Sequence, residues 1–79
     1  MKLRLLYFAS LADRAGCAEE SVETNASNPA TLYDEVRERH AFSLGRDRVR
    51  VAVNGQIVDW NQALTEGDEI VFLPPVSGG

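Results

Sequence analysis

The residues best placed to do chemistry are the last eight, Phe72-Leu73-Pro74-Pro75-Val76-Ser77-Gly78-Gly79. A chain end is ordinarily indifferent to sequence, so an apolar strand followed by paired prolines and a diglycine calls for a reason. Pro74-Pro75 removes two backbone donors and fixes φ, which stops sheet pairing and sends the chain out stiff and extended. Gly78 and Gly79 have no side chains, so they can pass a slot that would exclude any Cβ. The group delivered this way is the α-carboxyl of Gly79. A carboxylate becomes a useful electrophile only when its oxygen is made a leaving group, and the usual route is transfer to AMP from ATP. The chain contains no G-x-x-x-x-G-K-[ST] loop, and Gly55 and Gly67 stand singly in turns. The expectation is therefore that this chain binds no cofactor and that ATP is used by a partner enzyme. An activated carboxyl captured by an amine makes a protein tag; captured by sulfur it makes a thiocarboxylate.

Other reactive side chains are few. Cys17 and His40 are single representatives of their types, so an intrachain disulfide or a multi-cysteine metal site is not available, and no metal is expected. They stand far apart in sequence, with His40 at the end of a helical segment, and both read as structural. The net charge of −4 argues against a nucleic-acid partner, which requires clustered Lys and Arg in excess. Arg46, Arg48 and Arg50, with Asp47 among them, read as the solvated alternating face of a strand. The longest apolar run falls far short of the roughly 18 residues that a membrane span requires, and no signal-peptide pattern opens the chain. No membrane association and a cytoplasmic location are expected.

These groups need a scaffold, and 79 residues with 44% apolar and 25% charged side chains predict a single globular domain with a modest core. Met1 to Ala9 begins by alternating and becomes continuously apolar, which predicts a first and most central strand. Ser10 to Gly16 predicts a short helix capped by the serine and stopped by the glycine. Glu19 to Thr24 predicts a second strand, antiparallel to the first. Asn28-Pro29 is a capping residue before a first-position proline, with Thr31 and Asp34 as a second possible cap pair. It opens an amphipathic helix over Ala30 to His40, whose Leu32 and Val36, joined by Tyr33 and Arg39, fall at helical spacing. In Arg48 to Val58, Val49, Val51 and Val53 point one way and Arg48, Arg50 and Ala52 the other. Asn54-Gly55 then predicts a hairpin into Gln56-Ile57-Val58. A loop anchored by Trp60, a turn around Gly67-Asp68 and a last strand over Ile70 to Leu73 complete a two-layer α+β domain. Ile70 and Phe72 share one face of that strand, Val71 and Leu73 the other. With Leu6 or Phe8, the second pair would leave an apolar patch in water, the mark of a docking surface.

The segments "LLYFASLADRAG", "VAVNG" and "LTEGDEIVFLPPVSGG", with one helix between the first two, resemble the small subunit of molybdopterin synthase. This is a sulfur carrier with the ubiquitin-like β-grasp fold, a mixed sheet with one main helix packed on one face. The match spans nearly the whole chain, and its most specific part is "GDEIVFLPPVSGG". The resemblance implies that Gly79 is adenylated by an E1-like activating enzyme and converted to a thiocarboxylate with the help of a sulfur-donating enzyme. The tail would then enter the large synthase subunit and give its sulfur to cyclic pyranopterin monophosphate, in a two-by-two assembly. Catalytic pocket residues belong to the large subunit, so this chain is a sulfur-donating subunit and supplies only Gly79 to the reaction. The expected organisation is a β-grasp domain over 1–75 and a projecting tail over 76–79. Val71, Phe72, Leu73, Pro74, Pro75, Val76, Ser77 and Gly78 are expected to contact partners.

Three alternatives share parts of this pattern. The sulfur carrier of thiamine thiazole synthesis would have the same fold and diglycine. A ubiquitin-like modifier would use the same tail to reach target lysines, although Lys2, the single lysine, limits side-chain-linked polymers to one site. A free-standing interaction module would use neither.

Overall fold

The computed structural model of the chain describes residues 1–75. The elements run β1 (Lys2–Tyr7), α1 (Ala9–Ala15), β2 (Glu19–Glu23), α2 (Pro29–His40), a 3-10 turn (Arg46–Arg48), β3 (Arg50–Val53), β4 (Gln56–Val58) and β5 (Glu69–Leu73). The five strands form one mixed sheet in the order β2-β1-β5-β3-β4. The outer pairs are antiparallel hairpin-like neighbours, β1 and β5 are parallel, and β3 pairs antiparallel with β5. With α2 over one face, this is the α+β ubiquitin-like β-grasp arrangement.

Each element follows from local chemistry. Leu3, Leu5 and Tyr7 alternate with exposed Lys2 and Arg4 along β1, and all three are buried in the core. In α2, Asn28 Oδ1 accepts hydrogen bonds from the backbone N–H and the hydroxyl of Thr31, both at 2.9 Å, while Pro29 takes the first helical position. Leu32, Tyr33 and Val36 meet Ile70 and Phe72 of β5 in one cluster, each such side chain contributing about 1.5–3 kcal/mol on burial. The helix ends where Ala41 turns left-handed at φ 57° and the Phe42 N–H donates to the Arg37 carbonyl at 3.0 Å. Asn54 (φ 52°) and Gly55 (φ 86°) both take positive φ between paired Val53 and Gln56, which is the geometry a two-residue hairpin of this hand requires. Trp60 does anchor its loop: its ring stacks on Phe72 at 6.2 Å, and its carbonyl accepts from Ala30 N–H at 3.0 Å.

Several expectations change. The most central strand is β5, not β1, because β5 is hydrogen-bonded to β1 on one side and β3 on the other, which leaves two strands on each side of it. Ser10 does not cap α1; the extended residue before the helix is Phe8, and it makes no side-chain cap bond. Asn28 alone caps α2, so the Thr31/Asp34 pairing is not used. Arg39 lies exposed on the outer side of α2, where its guanidinium keeps its hydration. Arg46–Arg48 is a 3-10 turn rather than the start of a strand, closed by the Arg48 N–H on the Gly45 carbonyl at 3.0 Å, and only Arg50 stands on β3.

Candidate functional site

The face of the sheet away from α2 is assembled by the register of four strands. Leu6 of β1 lies opposite Val71 of β5, Val71 opposite Ala52 of β3, and Ala52 opposite Ile57 of β4. One apolar row therefore crosses the sheet. Cross-strand neighbours on one face have Cβ atoms about 4.5–5.5 Å apart, close enough to shield one another. Ala52 is accordingly 7% exposed, whereas Ile57 at the edge is 56% exposed. The row toward the end of β5 contains Leu73 opposite Arg50, and Phe8, one residue past the Tyr7–Phe72 pair, is 50% exposed. The other flanking row is charged: Arg4 lies opposite Glu69, and its Nη2 donates to Glu19 Oε2 at 2.7 Å. An apolar stripe with a polar rim is the pattern of a docking surface.

Val71 and Leu73 thus stand half-buried on this face. Phe72 does not. Its side chain points under α2, is 0% exposed, stacks on Trp60 and meets Tyr33 edge-on, so strand alternation removes it from the expected contact set. Pro74 is half-buried and Pro75 exposed, directly after the last paired residue. Val76, Ser77, Gly78 and Gly79 lie outside the described residues. Sequence reasoning overlooked Ala52 and Ile57 as members of the stripe. The signal was present, since a two-residue Asn-Gly turn places Ala52 opposite Ile57.

The start of β5 is held by Asp68. Its carboxylate accepts from the Thr65 N–H at 2.8 Å, the Thr65 hydroxyl at 3.1 Å and Asn54 Nδ2 at 2.9 Å, while Asn54 Oδ1 accepts from the Glu69 N–H at 3.0 Å. The Thr65 N–H chiefly, with help from the side chains of Asn54 and Thr65, holds the Asp68 carboxyl below its ordinary range. This clasp ties the hairpin turn to the strand that carries the tail.

The remaining titratable cluster sits on the other side of the sheet. The Tyr7 hydroxyl donates to Glu20 Oε2 at 2.5 Å, and His40 Nε2 lies 2.7 Å from the same oxygen. Burial opposes ionisation of Glu20, yet the bonds from Tyr7 and His40 outweigh it and keep the carboxyl below its ordinary value. Burial, then the bond to Glu20, pushes the Tyr7 hydroxyl upward. The cluster joins β1, β2 and the end of α2, a structural role. Cys17 is half-buried against the core. Among the described residues no group of three or more acidic, Cys or His side chains is placed to hold a metal ion, and no helix is long and apolar enough to cross a membrane.

Comparison with known proteins agrees with this geometry. Residues 5–79 match the ThiS family. The chain is 30% identical over 80 residues to the molybdopterin synthase sulfur carrier subunit of Escherichia coli, covering 98% of this chain and 99% of that one. It is 33% identical over 84 residues to the subunit of the same name from Mycobacterium tuberculosis, covering 100% and 99%. The crystal structure of small archaeal modifier protein 1 from Haloferax volcanii superposes with a TM-score of 0.80 at 25% identity, covering 95% of this chain and 98% of that chain. Fold, sheet register and sequence together place the chain in the ThiS family, alongside relatives that are molybdopterin synthase sulfur carrier subunits.

Proposed function

We propose that the chain is the sulfur carrier subunit of a molybdopterin synthase and that it works in the cytoplasm. In this reading residues 1–75 dock and residues 76–79 are the delivered tail. An activating enzyme binds ATP; a Gly79 carboxylate oxygen attacks the α-phosphorus and pyrophosphate leaves. Sulfide released by a donor enzyme then attacks the acyl carbon and AMP leaves, giving a thiocarboxylate whose sulfur is transferred to cyclic pyranopterin monophosphate in the large subunit, with water restoring the Gly79 carboxylate. Nothing in the chain need bind ATP for this.

The observation that carries the reading is the apolar row Leu6, Val71, Ala52 and Ile57 on the open face of the sheet, which crosses β5, the strand that continues through Leu73 into Pro74-Pro75. It lets one surface serve both proteins in turn while presenting the same tail. The test is intact mass after incubation with ATP, the activating enzyme and a sulfur donor. Exchange of one oxygen for sulfur is expected, and its absence under conditions where a known carrier is converted overturns the reading. The same measurement addresses a second reading, in which the tail is joined to target amines, favoured by the structural likeness to small archaeal modifier protein 1: a covalent conjugate would mark it.

A further inference from the structure

We propose that the groove where the tail leaves the sheet binds an acidic, extended segment of the protein that receives the tail, with Arg48 and Arg50 pairing its carboxylates. The groove has a volume of about 530 Å³, and its walls include Val49, Leu73, Pro74 and Pro75 together with the two arginines. Among the described residues Asp47 is the one carboxylate in its lining. The backbone explains how both guanidinium groups come to one place. The 3-10 turn ends at Arg48, Val49 is extended (φ −128°, ψ 141°), and Arg50 pairs in register with Leu73, the last residue of β5. The two arginines are thus spaced as alternate residues of an extended chain, about 6.6 Å along it.

Their charge is available. Arg46 turns toward Asp34, with Nε 3.7 Å from Oδ1, but neither Arg48 nor Arg50 forms an ion pair among the described residues. The chain as a whole carries −4, so the groove is a local reversal of sign at the root of the tail. A field of that shape attracts a carboxylate-bearing strip to the groove and repels it elsewhere, orienting the encounter so that the tail leads. Pro74 and Pro75 offer no N–H to a neighbouring strand, so recognition must come from side chains. Arginine forks suit carboxylates, donating N–H bonds to both oxygens in one plane. The complementary partner feature is an acidic residue at alternate positions of an extended segment, with an apolar residue facing half-buried Leu73 and the rings of Pro74 and Pro75. A nucleic-acid backbone fits less well, because two cations against a net negative protein fall short of the excess it requires.

The inference rests on the carrier reading, and the experiment separates the two. Association of the full chain with the large synthase subunit and with the activating enzyme, both from the same organism, is followed by stopped flow across a range of salt. R48E/R50E replaces two exposed side chains and is expected to slow association about tenfold or more at low salt with at least one partner, and to flatten its salt dependence. R48K/R50K keeps most of the rate. R37E/R39E makes the same change in net charge on the outer side of α2 and is expected to stay within about twofold of wild type. Equal rates and salt slopes for wild type and R48E/R50E with both partners overturn the inference alone, as does an equal loss in R37E/R39E. A wild-type chain that binds neither partner fails the carrier reading and this inference with it.

Discussion

Asn54 Nδ2 donates to Asp68 Oδ1 at 2.9 Å, joining a hairpin tip to a turn 14 residues later. Because Asn54 also receives the Glu69 N–H and donates its own N–H to the Glu69 carbonyl at 2.8 Å, the pair sets where β5 begins. It therefore sets which residues of β5 face outward and where Pro74 leaves the sheet. Asp68→Ala removes three acceptor contacts at once. After allowance for solvent at this exposed turn, a loss of about 1–2 kcal/mol is expected. Urea unfolding measures it, and a midpoint unchanged within error would show that the clasp is redundant.

Glu20 and Asp68 also predict the response to acid. Both have folded values held below their ordinary ones, near 4.5 for Glu and 3.8 for Asp. Groups shifted downward contribute stability that is fully present above the unfolded value and disappears as pH falls through the folded value. Stability should therefore be flat at neutral pH and decline below about pH 4.5. Glu20→Gln should make that decline shallower, as followed by thermal melting from pH 7 to pH 3. A decline that is just as steep in this variant would remove Glu20 from the account.

Ala41 ends α2 at φ 57° and is exposed. A left-handed conformation costs an L-residue with a Cβ roughly 1–2 kcal/mol, part of which glycine returns as extra freedom in the unfolded chain. Ala41→Gly is expected to raise stability by about 0.5–1 kcal/mol. Calorimetry provides the check, and destabilisation would mean that the turn is not formed as described.

What could be read from the sequence was whatever local chemistry determines. Asn28-Pro29 marks a helix start because both residues act on their own neighbours, and Asn54-Gly55 marks a hairpin because positive φ is a property of those two residues. "TEGDE" is legible as a turn for the same reason. Long-range pairing is different. Alternation in "VRVAV" describes two faces without saying where the strand begins, and the bond from the Arg48 N–H to the Gly45 carbonyl that makes Arg46–Arg48 a 3-10 turn leaves no mark on that alternation. The continuous apolar run of β1 resembled a central strand, but which strand lies in the middle depends on β1 and β5 pairing across more than sixty residues of chain, about which no local pattern speaks. The Glu20 cluster draws its three members from β1, β2 and α2 and has no spacing signature at all. Phe72 adjoins the tail in sequence, but its alternation with Val71 and Leu73 puts it on the other face.

The apolar row makes a prediction about docking. Ile57→Asp and Leu73→Asp each place a charge on the open face, and each is expected to weaken binding to the large synthase subunit about tenfold or more, since a carboxylate desolvated in an apolar contact loses its hydration without a partner. Ile57 is already 56% exposed, so Ile57→Asp should leave melting nearly unchanged even where Leu73→Asp lowers it. Calorimetric titration measures both, and wild-type affinity in the folded Ile57→Asp protein would exclude this end of the row from the interface.

Gly79 and Gly78 separate reach from passage. Removing Gly79 should leave the circular dichroism spectrum and melting temperature unchanged, because every buried side chain of the described core lies before Pro74. It should abolish formation of the adenylate and all sulfur transfer. The carboxyl is then short by one residue, about 3.3 Å, whereas productive attack tolerates a misplacement of about 1 Å. Gly78→Val keeps the length but adds a branched side chain, which narrows the allowed backbone conformations and cannot pass a slot cut for glycine. Both proteins are expected to be folded and both inactive with ATP and the activating enzyme, as measured by pyrophosphate release and intact mass. If the chain lacking Gly79 supports molybdopterin formation at the wild-type rate, the reacting carboxyl has been assigned to the wrong residue. If Gly78→Val alone retains activity, the tail is delivered through an opening wide enough for side chains, and the diglycine serves length rather than passage.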